Sequence, residues 1–141
     1  MATEILVNDG GAPARIMNLG NANAAIEAGM FVDINSSGKI IAATDDQEAS
    51  SSGEKVSLGV LLVDAVAGAP TSIITGKGIV CNVQAAEAIT VGQELTTDDA
   101  GKVEPTADAD AHRAVAIALA ASFPGADSSG NATTFVKVLL I

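Results

Sequence analysis

Tryptophan and tyrosine are absent from this 141-residue chain, and three phenylalanines supply its 2% of aromatic residues. Small-molecule sites are usually lined by apolar and aromatic side chains, so the shortage argues against a ligand pocket. Cations are scarce as well: seven Lys and Arg stand against 17 Asp and Glu, a formal net charge of −10. A nucleic-acid binder needs a basic stripe to neutralise phosphates, which excludes direct nucleic-acid partners and anionic membrane surfaces. A single cysteine, Cys81, permits no internal disulfide and no Cys-based zinc site. It sits in the apolar run GIVCNV and reads as a buried small hydrophobe, not a reactive thiol. No apolar stretch approaches the ~20 residues that span a bilayer. The first ten residues carry Glu4 and Asp9 without a basic cluster, unlike a secretory signal peptide, so synthesis and folding in a cytoplasm are expected.

The constellations that carry catalysis are missing too. Nucleophilic catalysis needs a Ser, Cys or Thr with a base in reach. The one histidine, His112, lies in the polar context DADAHRAV, and no GxSxG elbow accompanies any serine. Asp45-Asp46, Asp98-Asp99 and Asp108/Asp110 are paired acids in polar turns. Such pairs point into water, whereas acid/base work needs one carboxyl buried to raise its pKa. The stretch TTDDAGKVEPTADADAH lacks EF-hand spacing and reads as a solvated acidic face, not a cation site. GKGIV at residues 76–80 is a tight turn, not a phosphate-binding loop before a helix. No catalytic, cofactor-binding or metal-ligating residue is therefore assigned, and no cofactor is expected.

What the chain does contain is alanine, 27 residues of it, with Val, Ile and Leu making up most of the remaining apolar set. Hydrophobic residues reach 48%, enough for one folded domain with a core of thin, closely spaced β layers. The pattern also repeats. Residues 28–41, AGMFVDINSSGKII, and residues 91–104, VGQELTTDDAGKVE, place Gly29 and Gly92, then Gly38-Lys39 and Gly101-Lys102, at equal spacing. In each, polar turn formers precede a glycine that can take positive φ, which predicts a hairpin. Residues 57–65, SLGVLLVDA, match residues 114–122, AVAIALAAS, with a shift of 57, so that Leu58, Val60 and Leu62 superpose on Val115, Ile117 and Leu119. Alanine content alone would suit a helix over residues 109–121. The alternation shared with VLLV predicts a strand instead. A turn then follows in each copy, at Gly68-Ala69-Pro70 and Pro124-Gly125-Ala126, and leads to closing strands within residues 71–83 and 133–141.

These features predict an all-β chain: a β-clip or β-barrel-like small domain over residues 24–141, built from an internal duplication. Residues 45–55, DDQEASSSGEK, read as a solvated loop. Residues 1–23 read as an extended N-terminal arm with two apolar patches, Ile5-Leu6-Val7 and Arg15-Ile16-Met17. Such an arm can become ordered by adding a strand to a partner's sheet edge. A core this short of large side chains would also gain by burying alanine-rich faces between copies, which predicts a homo-oligomer, taken as a trimer.

The run EAITVGQELTTDDAGKV followed by RAVAIALAA, with AGMFVDINSSGKIIAA, SLGVLLVDAVAG and the closing TTFVKVLLI, resembles the head decoration, or capsid cement, proteins of tailed viruses. The resemblance covers residues 24–141; the arm and the Ser-rich residues 49–53 depart from the lambda-type pattern. It implies a homotrimer on the exterior of the mature capsid, with the major capsid protein as partner. It also implies a role in bridging capsid subunits against the pressure of packaged DNA. Ile5, Leu6, Val7, Arg15, Ile16 and Met17 are then the candidate capsid-binding residues. Three rivals stand beside it. AITVGQEL also resembles a step of lipoyl and biotinyl carriers, which would make the chain a binding module, a hammerhead or β-clip domain of a carrier or sugar-binding protein, although Lys39 and Lys102 sit in plain turns. A virion spike or adhesin is the second rival. The third is an enzyme dependent on His112 or the acids from Asp98 to Asp110.

Overall fold

Short runs of alternating large and small residues, broken by glycine and polar turn formers, leave no apolar stripe of helical period, and strands are the local outcome. The computed structural model describes residues 2–7, 14–44, 57–106 and 114–141. Among the described residues there is no helix, and the strands form two antiparallel sheets. The first sheet is built from β1 (Arg15–Met17), β2 (Phe31–Ile34), β3 (Ile40–Ala42), β4 (Gly59–Leu61) and β5 (Ile73–Thr75) in the order β1-β5-β4-β2-β3. The second contains β6 (Val80–Gln84), β7 (Glu94–Thr97), β8 (Val103–Pro105), β9 (Ala116–Ala118), β10 (Phe123–Ala126) and β11 (Ala132–Leu140). Its central strand is β11, with β6 along one side and β9 and β10 along the other. The all-β class holds, and within the alanine-rich segment Ala116–Ala118 enters the second sheet as β9.

The two sheets share more than their class. Omitting β10, the second sheet reads β6-β11-β9-β7-β8, the same order as the first. Registers agree residue by residue: Val32 faces Ala42 as Leu95 faces Pro105, and Phe31 faces Val60 as Glu94 faces Ile117. Ile74 pairs with Val60 and Ile16 as Leu139 pairs with Ile117 and Val80. Both first hairpins close the same way. Asn35 Oδ1 accepts from the Ser37 and Lys39 N–H groups, and Asp98 Oδ1 accepts from those of Ala100 and Lys102. Asp127 makes a third such turn with Ser129 and Asn131, at DSSGN, which the spacing argument passes over.

Two boundaries differ from the sequence reading. The GKG turn does not close a hairpin within one sheet: β5 ends the first sheet, while β6 pairs with β11 in the second. Gly125 is not a turn residue matching Gly68 but lies within β10, opposite Thr133. Spacing in sequence cannot tell which sheet a strand joins, because that depends on long-range pairing.

Apolar side chains fill two layers. A small one, with Ala22, Ile26, Val32, Ile40, Leu61, Ala65 and Ile73, lies on one face of the first sheet. Phe31, Val60 and Ile74, on its other face, join Val83, Leu95, Val136, Val138 and Phe135 in the main core between the sheets. The sheets approach closely: the Phe31 N–H donates to the Gly101 carbonyl across 2.8 Å. Gly59 marks the tightest point in the first sheet. Its φ is 148°, and a Cβ there would overlap the Ile74 carbonyl oxygen. Gly59→Ala should therefore push β5 away from β4 and cost about 3 kcal/mol or more, read as a lower denaturant midpoint, as overpacking against backbone does.

Candidate interaction surface

The two apolar patches of residues 1–23 meet different fates. Ile5 is 7% exposed and belongs to the main core, where its burial contributes about 1.5–3 kcal/mol. The residues around it add a strand to this chain's own second sheet. Leu6 bridges Cys81, the Val7 N–H donates to Val80 O (3.1 Å), and the Asn82 N–H donates to Ile5 O (2.7 Å). The Asn82 side-chain amide donates to Glu4 O, also across 2.7 Å. Thr3 closes onto β10: its N–H donates to Ala126 O, and its hydroxyl accepts from the Ala126 N–H. Gly125 makes room for this, since a Cβ there would overlap Thr3 Oγ1 and the Phe135 ring.

Arg15, Ile16 and Met17 form β1, an edge strand paired with β5, and all three side chains are exposed. The Thr75 hydroxyl donates to Met17 Sδ. Thus Ile5 is committed to the fold, while β1 presents two apolar side chains and a cation outward. A groove of about 300 Å3 is lined by Ala2 to Ile5 together with Ala28, Leu62, Val63 and Asp64.

Asp64 and Gln84 were not singled out by sequence reasoning, yet they tie the layers together. Asp64 Oδ1 accepts from the Ala28 N–H, and Oδ2 accepts from the Ser128 hydroxyl. Gln84 is fully buried; its N–H donates to Gly29 O and its side-chain Nε2 to Ala28 O and Glu27 Oε2. A buried amide needs such partners to offset its desolvation. Its only legible signal is a polar residue ending an apolar strand, which alone does not reveal a buried junction.

Of the acids weighed for chemistry, Asp98 is occupied in its turn, and Asp99 and Glu104 are each engaged in interactions. Asp45, Asp46, Asp108, Asp110 and His112 lie outside the described residues, as does the Ser-rich loop. Among the described residues, no three His, Cys, Asp or Glu side chains come close enough to hold a metal ion. Cys81 lies beneath the added N-terminal strand, and burial pushes its thiol from an ordinary 9.0 up to about 12.

Comparison with known proteins bears on this surface. A family described as phage cement protein matches residues 11–138. Among solved structures, the N base of the head fiber gp8.5 of bacteriophage phi29 is similar, with a TM-score of 0.56 and 20% identity over 88% of this chain and 93% of that one. At that identity the likeness is one of fold. No curated protein sequence matches.

Two outcomes follow for Cys81. The folded protein at pH 8 should resist a thiol-reactive dye that labels the unfolded chain within minutes, and removing residues 2–7 should restore labelling. Because the folded thiol holds its proton to higher pH than the unfolded one, stability should be flat below about pH 9 and fall as pH rises toward about 12. Cys81→Val should remove that part of the slope in urea titrations.

Proposed function

Because the chain belongs to the phage cement protein family, we propose that it binds the exterior of the mature head and bridges neighbouring major capsid subunits against the outward push of packaged DNA. Membership itself gives a structural, head-associated role in the virion. The observation that carries the finer reading is the match over residues 11–138, which takes in β1 and both sheets. The physics supports it. A part that grips several subunits at once opposes their separation, because each contact raises the effective concentration of the next. A rigid two-sheet body transmits such a load better than a loose arm. The charge of −10 keeps densely displayed copies soluble.

In this reading, β1 supplies the shell contact through Arg15, Ile16 and Met17, and Ile5, Leu6 and Val7 hold the body to which it is attached. The protein acts as a homotrimer, made in the host cytoplasm. The matched strand order of the two sheets supports descent from a duplicated unit, giving each copy two similar ends. The fold shared with the head fiber base supports a second reading, a virion spike or adhesin base that sits on the head without bracing it.

Heads assembled without this protein and then supplied with it test both. Bracing predicts saturable binding and DNA release at a temperature several degrees higher, followed with a DNA-binding dye. Ile16→Asp with Met17→Asp should weaken binding about tenfold or more, since an apolar contact would then bury charge. Binding without any shift in DNA release would favour the spike base, and no binding at all would overturn both.

A further inference from the structure

Inside the chain, one repeat is joined to the next by a small set of contacts. The turn Glu27-Ala28-Gly29 of the first repeat receives Gln84, which leads the second: the Gln84 N–H and side-chain amide donate to Gly29 O, Ala28 O and Glu27 Oε2 at 2.9, 3.0 and 3.0 Å. Phe135, which faces Gln84 in the sheet, lies against Gly29, where a Cβ would come within 3.1 Å of its ring.

Each half of this junction has an unused counterpart. In the second repeat the turn Thr90-Val91-Gly92 stands where Glu27-Ala28-Gly29 stands in the first. The Gly92 N–H donates to Ala118 O as that of Gly29 donates to Leu61 O, and Gln93 N–H to Thr90 O as Met30 N–H to Glu27 O. Val91 is 68% exposed and the nearby Leu119 is 40% exposed. At the opposite end, Asn21 stands where Gln84 stands: Asn21 bridges Pro70 as Gln84 faces Phe135. Asn21 again carries a carboxamide, here exposed, and Pro70 is exposed beside it. The turn leading to Pro70 brings Val66, 68% exposed, to the same end.

We infer that copies of this chain join head to tail by reusing the internal junction: the Thr90–Gly92 turn and Leu119 of one copy receive Asn21, Pro70 and Val66 of the next. The occupant is a second copy because both halves are carried by one chain, at different ends, and the bonded version of the same pair is already present within it. The Asn21 amide is one methylene shorter than that of Gln84, and the Thr90 hydroxyl replaces the Glu27 carboxylate as acceptor. Beside its polar group each end exposes apolar side chains, Val91 and Leu119 at one and Val66 with Pro70 at the other. Such a heterologous contact closes into a ring when the rotation between repeats allows it. Only the expected number of copies, three, rests on the function proposed above. The junction itself needs no shell. Like charge on the copies opposes it, so screening by salt should strengthen it.

Sedimentation of the purified full chain, without heads, tests the inference. Wild type should associate, more tightly at 0.5 M than at 0.05 M salt. Val91→Asp and Val66→Asp each damage one end and should each raise the dissociation constant about tenfold or more, as burying an unpaired charge does. Ile34→Asp adds the same charge on a hairpin and should leave association unchanged. Mixing the Val91→Asp and Val66→Asp chains leaves one intact junction and should yield a one-to-one dimer that neither forms alone, while circular dichroism of each matches wild type. A wild type that stays monomeric, association untouched by both variants, or a mixture without the dimer would each overturn the junction. Loss of shell binding with association intact would instead count against the proposed function alone.

Discussion

Two sheets built almost without aromatic residues must lie very close together to exclude water, and that close approach governs the rest of the molecule. Phe31, Val60 and Ile74 of the first sheet meet Leu95, Val136 and Phe135 of the second in one core. Where backbone replaces side chain as the contact, glycine is required: a Cβ on Gly101 would stand 2.6 Å from the Phe31 carbonyl oxygen. Interiors packed to this density pass strain on and do not absorb it. The main core is therefore one mechanical unit, suited to carrying load between whatever its edges hold.

The N-terminal residues illustrate how an edge is managed. β6 and β10 would offer unpaired backbone groups to any passing strand, a recognised route to aggregation. Residues 3 to 7 cover both, and Ile5 anchors the cover in the core. Cys81 lies under it as a small hydrophobe whose thiol is kept protonated by burial. β1 is the contrast, a paired strand with an outward face of Arg15, Ile16 and Met17. The same stretch of chain thus closes one sheet and leaves the other with a surface to offer.

Bracing a shell, the role proposed above, demands rigidity, solubility at high local density and more than one place to hold. The buried Gln84 amide serves the first by tying β6 of the second sheet to the turn before β2 of the first, since breaking it would leave polar groups stranded in the core. The acidic surface serves the second. The matched strand order of the two sheets bears on the third, because sheets of like order offer like edges.

From the residues alone came the all-β class, the paired hairpins at Gly38-Lys39 and Gly101-Lys102, the β9 strand within an alanine-rich run, and a buried Cys81. All of these are local. They follow from turn chemistry, from the alternation of large and small side chains, and from an apolar neighbourhood within a few residues. Only the tertiary structure decided that β5 and β6 part company into different sheets, that Gly125 lies inside a strand, that Ile5 enters the core and that Gln84 is a buried junction. Each of those depends on partners dozens of residues away. A one-dimensional pattern states which side chains prefer to leave water, but the partner that shields them is chosen by how the layers close in space.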